Sequence, residues 1–239
     1  MKVDLFIPCF VDQFSPDTGF NMVKVLEKVG CKVHYNVEQT CCGLPAFNAG
    51  HWEDAREVGE KLLNEVSTDK TLVCGAASCT AMIRNSYDLL FQNSSYHNKY
   101  RQLQKKNFEL SEFLVDVMKV ESLGSKLNGK AVYMDSCHAL NHCRIKEQPR
   151  KLLQTVEGLE LVEMEKADEC CGFGGTFAVN FEPLSVQMAE QKVQHVLNAG
   201  ADIIISTDYA CLMHLHGYIQ FKKLNLRIMH LADVLAAGL

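Results

Sequence analysis

Short apolar runs and amphipathic stretches alternate along the whole chain. Val3–Ile7 is mostly apolar and ends at Pro8-Cys9, which predicts a buried strand. Asn21–Val29 then predicts a helix stopped by Gly30, Val33–Val37 a second strand, and His51–Val66 an amphipathic helix with Ala55, Val58, Leu62, Leu63 and Val66 on one side. Thr71–Val73 is a third strand, and a helix runs from Ser78 to Leu90. Residues 91–106 are polar, with a helix expected only over Tyr100–Lys106, and Leu110–Val117 predicts a helix with Ser111 as N-cap.

A turn-rich joint over Gly124–Gly129 follows, and the pattern restarts. Strands are expected at Ala131–Met134, Leu159–Met164, Asp202–Ser206 and Leu226–Met229. Helices are expected at Pro149–Val156, Leu184–Leu197, around Cys211 and at Leu231–Ala237. Alternating strands and helices imply parallel sheets, because parallel neighbours need a crossover. The expected fold is therefore α/β, with two similar halves, each a small parallel sheet covered by helices and related by a pseudo-twofold duplication. The modules divide at the joint, into residues 1–123 and 124–239.

The cysteines repeat with the same period as the elements. Two doublets, Cys41-Cys42-Gly43 and Cys170-Cys171-Gly172, each have one cysteine upstream, Cys9 or Cys137, and one downstream, Cys79 or Cys211. The steps from Cys9 to Cys41 and from Cys137 to Cys170 are 32 and 33 residues, and those from Cys42 to Cys79 and from Cys171 to Cys211 are 37 and 40. Each of these eight residues follows a predicted strand, and ligands of open α/β sheets bind beyond the carboxyl ends of the strands. Four sulfurs are thus expected to converge in each half. Gly43, Gly172, Gly174 and Gly175 would allow tight turns and close approach around them.

Composition narrows the chemistry. A chain of 239 residues, 47% hydrophobic, can bury a core without staples, and its net charge of −5 with no basic stripe gives no indication of nucleic-acid binding. The start lacks a signal-peptide pattern and no stretch is long enough to span a bilayer, so a cytoplasmic protein is expected, with peripheral membrane association compatible. Eleven cysteines in a reducing compartment point to metal or redox chemistry rather than disulfides. Cys31, just after a helix-ending glycine, reads as packing; Cys74, Cys143, His138 and Asp208 are open between ligand and structural roles. Trp52, at a helix start, reads as packing. No Ser-His-Asp set, flavin fingerprint or nicotinamide fingerprint stands out, so no catalytic residue is assigned.

Four thiolates can hold an iron–sulfur cluster or a structural zinc ion, and vicinal pairs can cycle as a thiol–disulfide couple. Adjacent cysteines strain a zinc tetrahedron, which favours the cluster. The doubled Cys…Cys-Cys-Gly…Cys pattern, with Cys170-Cys171-Gly172-Phe173-Gly174-Gly175-Thr176 in its second copy, resembles the cysteine-rich (CCG) family, which includes the cysteine-rich subunit of heterodisulfide reductase and the iron–sulfur subunit of glycolate oxidase. Ser78-Cys79-Thr80, Cys211-Leu212-Met213 and Met229-His230-Leu231-Ala232-Asp233-Val234-Leu235 extend the resemblance to the lactate utilisation protein A group, over essentially the whole chain.

That resemblance implies an iron–sulfur electron-transfer subunit, a component of an NAD-independent L-lactate oxidation complex that is inactive alone. Clusters of the 4Fe–4S type, up to one per half, would rest on Cys9, Cys41, Cys42 and Cys79 and on Cys137, Cys170, Cys171 and Cys211. A ferredoxin-like iron–sulfur subunit and a third subunit would be the partners. The alternatives are a thiol–disulfide oxidoreductase of the heterodisulfide reductase type and a zinc-binding scaffold. One departure bears on them: the heterodisulfide reductase relative ends each module in Cys-x-x-Cys, whereas Ala76 and Asp208 stand three places before Cys79 and Cys211 here.

Overall fold

The computed structural model describes residues 1–67 and 69–239. It contains two four-stranded sheets, all of whose pairings are parallel. The first has strands β1 (Lys2–Phe6), β2 (Lys32–His34), β3 (Thr71–Cys74) and β4 (Asn107–Glu109) in the order β2-β1-β3-β4. The second has β5 (Lys126–Tyr133), β6 (Glu157–Val162), β7 (Ile203–Ser206) and β8 (Arg227–His230) in the order β6-β5-β7-β8. The two orders are the same, one sheet per half, as the duplicated pattern predicts.

Strand periodicity explains how the sheets are buried on both faces. Val3 and Leu5 of β1, Val73 of β3, Ala131 and Tyr133 of β5, and Ile203 and Ile205 of β7 enter one cluster shared by both halves. Their alternates turn away into separate cores: Phe6 and Leu72 with Leu62 and Leu63 of the helix Trp52–Glu65, and Val132 and Ile204 with Val193 and Val196 of the helix Glu182–Asn198. Each fully buried aliphatic side chain contributes about 1.5–3 kcal/mol, so the seam between the halves is as much a core as either interior.

The helices after the last strands are exchanged. Leu231–Ala236, following β8, packs on Pro16–Lys28 of the first half, where Asp233 accepts hydrogen bonds from Thr18 Oγ1 and Asn21 Nδ2, both at 2.9 Å. The turn after β4, Leu110–Val117, packs in the same way on the second-half helix Glu147–Leu153.

Four local features differ from expectation. Strand β4 carries no strand signal in the sequence, because Asn107-Phe108-Glu109 offers a single apolar residue; its backbone pairs with Leu72–Cys74. Glu109, not Ser111, caps the helix that follows, and β5 begins at Lys126, inside the expected turn-rich joint. Trp52 is 51% exposed and stacks on Phe47 with centroids 5.6 Å apart instead of entering the core.

Candidate functional site

All eight repeated cysteines lie beyond the carboxyl ends of the strands. Cys9 opens the helix after β1, Cys41-Cys42 lies in the loop after β2, and Cys79 is in the helix that starts at Ala77 after β3. Cys137, Cys170-Cys171 and Cys211 hold the same places after β5, β6 and β7. In the first half the thiols touch in the sequence Cys9, Cys41, Cys42, Cys79, with 3.7 Å between the Cys9 and Cys41 sulfurs. In the second they run Cys137, Cys170, Cys171, Cys211, with 2.8 Å between the last two sulfurs. Residues up to 74 positions apart therefore meet in two equivalent strings.

The doublet loops follow from their glycines. Gly43 and Gly172 have φ of +86° and +88°, and a Cβ on Gly172 would lie 2.8 Å from both Ser185 O and Met188 Cβ. No other residue type fits there without displacing the helix Glu182–Asn198. The same glycines donate their backbone N–H to the first sulfur of each doublet, Gly43 to Cys41 and Gly172 to Cys170, both at 3.4 Å.

These contacts set the charge pattern. Hydrogen bonds from Cys42 and Cys9, together with the loop N–H groups, hold the Cys41 thiol down at about 3. Those from Cys137 and Cys171, with the Gly172 N–H and the nearby Lys192 ammonium, hold Cys170 at about 2. Their neighbours are pushed up, Cys9, Cys42, Cys137 and Cys171, first because each interacts with the adjacent low-pKa sulfur and then because each is buried. In each half these contacts favour the thiolate form at the first sulfur of the doublet, within a soft donor set.

The strings differ in their surroundings. In the first, Cys74 extends the contacts through Cys79, and the buried Tyr87 hydroxyl donates to Cys42 O at 3.0 Å. In the second, Lys192 is buried and donates to Lys166 O at 2.7 Å and Ala167 O at 3.3 Å, bracing the approach to the doublet. Ser185 Oγ donates to Gly172 O at 2.8 Å and lies 3.2 Å from His214 Nε2. Phe10, beside Cys9, meets Phe173, beside the second doublet, edge to face at 5.5 Å, so the rims of the two sites touch.

The ambiguous residues occupy different places. Cys31 is buried in the shared core, away from either string. Cys143 faces Ala77 O at 3.6 Å and is pushed up to about 12 by burial. His138 Nδ1 is 3.6 Å from Cys137 Sγ, and burial pushes its imidazole pKa down. Asp208 reaches across the seam: its Oδ1 accepts from the Ser78 backbone N–H at 3.1 Å and from the Ser78 hydroxyl. Sequence reasoning passes over Lys192, although a lysine among Ala189, Val193 and Val196 on an apolar helix face is a usable signal.

Among the described residues, no three His, Cys, Asp or Glu side chains are disposed around one point that could hold a single metal ion. No helix among them is long and apolar enough to cross a membrane.

Known proteins match along the full length. The family model described as a cysteine-rich domain (CCG) matches residues 3–84 and 131–216, one copy in each half. The chain is 42% identical over 235 residues to the lactate utilization protein A of Halalkalibacterium halodurans, covering 98% of this chain and 96% of that one. It is 40% identical over 237 residues to the protein of the same name from Geobacillus kaustophilus, covering 99% of each. A solved structure of a hypothetical protein from Helicobacter pylori, 14% identical, superposes with a TM-score of 0.71 over 100% of this chain and 49% of that chain, which establishes likeness of fold alone. By its two matched domains, and by the sulfur string each of them carries, the chain belongs to the cysteine-rich CCG domain family.

Proposed function

We propose that this chain is the iron–sulfur electron-transfer subunit of a multi-protein, NAD-independent L-lactate oxidation system. The observation that carries the reading is the pair of four-sulfur strings at equivalent strand ends of a duplicated fold. The donor chemistry fits a cluster: four cysteines per half match the ligand count of a 4Fe–4S centre. Backbone N–H groups at Gly43 and Gly172 already point at ligand sulfur. Cys9, Cys41, Cys42 and Cys79 would hold one centre, and Cys137, Cys170, Cys171 and Cys211 the other. A bound cluster supplies one-electron storage. The protein's own residues bind it, shape the loops around it and, through Lys192, offset its negative charge in the second half.

The names of the relatives support the link to lactate. A ferredoxin-like iron–sulfur subunit and a third subunit are the partners we propose. They would dock at the cysteine-bearing edge, where Phe14 and Phe181 are more than half exposed. The units 1–123 and 124–239 are proposed as the duplicated modules, each carrying one site. Zinc is the weaker reading, since the adjacent cysteines of each doublet strain its tetrahedral geometry.

A second reading has its own support. The contact between the Cys171 and Cys211 sulfurs suits thiol–disulfide exchange, in which a thiolate attacks a disulfide sulfur and expels the other as thiolate. Thiol titration of metal-free protein, before and after reductant, distinguishes a cycling pair from a ligand set.

The functional test is growth and assay. A strain lacking this chain should fail to grow on L-lactate. The isolated chain should not oxidise L-lactate, because it offers no hydride-accepting cofactor fingerprint, and activity should appear only with co-purified subunits. Normal growth of the deletion strain, or full oxidation by the chain alone, would refute the proposal.

A further inference from the structure

Thr207-Asp208, after β7, opens the helix Tyr209–Phe221 that carries Cys211, and Gly75-Ala76, after β3, opens the helix that carries Cys79. Two buried side chains tie these loops together across the seam. His230 Nε2 lies 2.9 Å from both Gly75 O and Thr207 O, while its Nδ1 accepts from Ala232 N–H at 3.1 Å. The ring is thereby held as the tautomer that carries its proton on Nε2, donating to one carbonyl from each half. Asp208, 2% exposed, reaches from the second half to accept from both the backbone and hydroxyl of Ser78, the residue before Cys79.

The duplication makes this link one-sided. Ala76 holds the place of Asp208 in the first half and has no side chain that can reach back to Ala210. Asp208 sits at the start of its own helix yet makes no side-chain hydrogen bond there. Its carboxylate instead satisfies a free N–H at the start of the first-half helix, an end that has no capping side chain of its own.

From this we infer that Asp208 is a positioning residue for the site in the opposite half: it fixes the start of the Cys79 helix, so that the first sulfur string is complete only when the Cys211 loop of the second half is in place. The two sites are then assembled as a coupled pair, not as two independent modules. The inference uses the cysteine sites proposed above but concerns how they are built, and its primary test needs no cofactor.

Metal-free, reduced protein is exposed to iodoacetamide, and the alkylation rate of each cysteine is followed by peptide mass spectrometry for wild type, Asp208→Ala and Asp208→Asn. Loss of one helix-capping bond should speed labelling of Cys79 about tenfold in Asp208→Ala. Cys31, in the shared core, should label at the wild-type rate. Asp208→Asn keeps an acceptor for Ser78 and should stay within about threefold of wild type. In a Cys171→Ser background, where only the first site is intact, Asp208→Ala should also lower the iron retained after anaerobic reconstitution by more than half, although it alters no residue of that half. Unchanged Cys79 labelling, a parallel rise at Cys31, or an Asn variant as fast as the Ala variant would overturn the inference. If the reconstitution arm fails in wild type while the labelling result holds, the cofactor reading is at fault and the positioning role stands.

Discussion

Glu109 accepts the backbone N–H of Ser111 at 2.8 Å through Oε2, in a position with no solvent exposure, while its Oε1 has no hydrogen-bond partner. Burial is the largest influence on this carboxyl and pushes it up to about 7 from an ordinary 4.5, against the lowering effect of the capping bonds. The folded chain therefore holds a proton at Glu109 that the unfolded chain has released between these two values. The sign follows from linkage: the stability associated with this proton is full below about 4.5, declines as pH rises, and is lost above about 7, a difference of about 3 kcal/mol. Glu109→Gln mimics the protonated form, so the wild type should fall below the variant in urea-unfolding free energy as pH is raised from 5 to 8. Parallel profiles for the two proteins would refute this.

Arg150 is buried and forks onto Asp135 at 2.8 and 2.7 Å, with Glu163 at 2.7 and 3.1 Å on its other side. Asp135 is buried, whereas the Glu163 side chain is 61% exposed. Asp135→Ala leaves a buried guanidinium short of its partner and should cost about 3 kcal/mol. Glu163→Ala removes a solvent-screened contact and should cost about 1 kcal/mol or less. Denaturant midpoints measured on the two variants check the contrast, and equal losses would contradict it.

Gly172 and Gly50 share nearly the same backbone conformation, with φ of +88° and +83°, but a Cβ at Gly50 meets nothing within 4 Å. Gly50→Ala therefore isolates the conformational penalty, about 1 kcal/mol. Gly172→Ala adds the clash with Ser185 and Met188 and should cost at least about 1 kcal/mol more. It should also loosen the second doublet, seen as faster alkylation of Cys171.

How far the sequence carries these conclusions depends on where each signal resides. The spacings of Cys9, Cys41-Cys42 and Cys79, matched by Cys137, Cys170-Cys171 and Cys211, place eight sulfurs at strand ends because strand length and crossover direction are local properties. The positive φ of Gly43, Gly172, Gly174 and Gly175 follows from the same tight turns. What crosses the seam is invisible in the sequence. Asp208 is open in the sequence between an oxygen ligand and a helix cap, and only the packing of the halves shows that it accepts from Ser78. Strand β4 escapes notice because its pairing with β3 is backbone register, to which Asn107 and Glu109 contribute no apolar pattern. Cys74 is ambiguous for a similar reason: its contact with Cys79 depends on where the helix at Ala77 begins.

The most direct measurement is iron and acid-labile sulfide in the anaerobically reconstituted chain, with Cys171→Ser and Cys31→Ser prepared alongside it. Iron and sulfide should bind in comparable amounts, with a visible absorption band. Cys171→Ser should lose much of both, while Cys31→Ser should keep its full complement at a stability cost of about 1 kcal/mol. Stoichiometric zinc with no iron, or equal loss of iron in the two variants, would contradict the assignment of the two sulfur strings as cluster ligands.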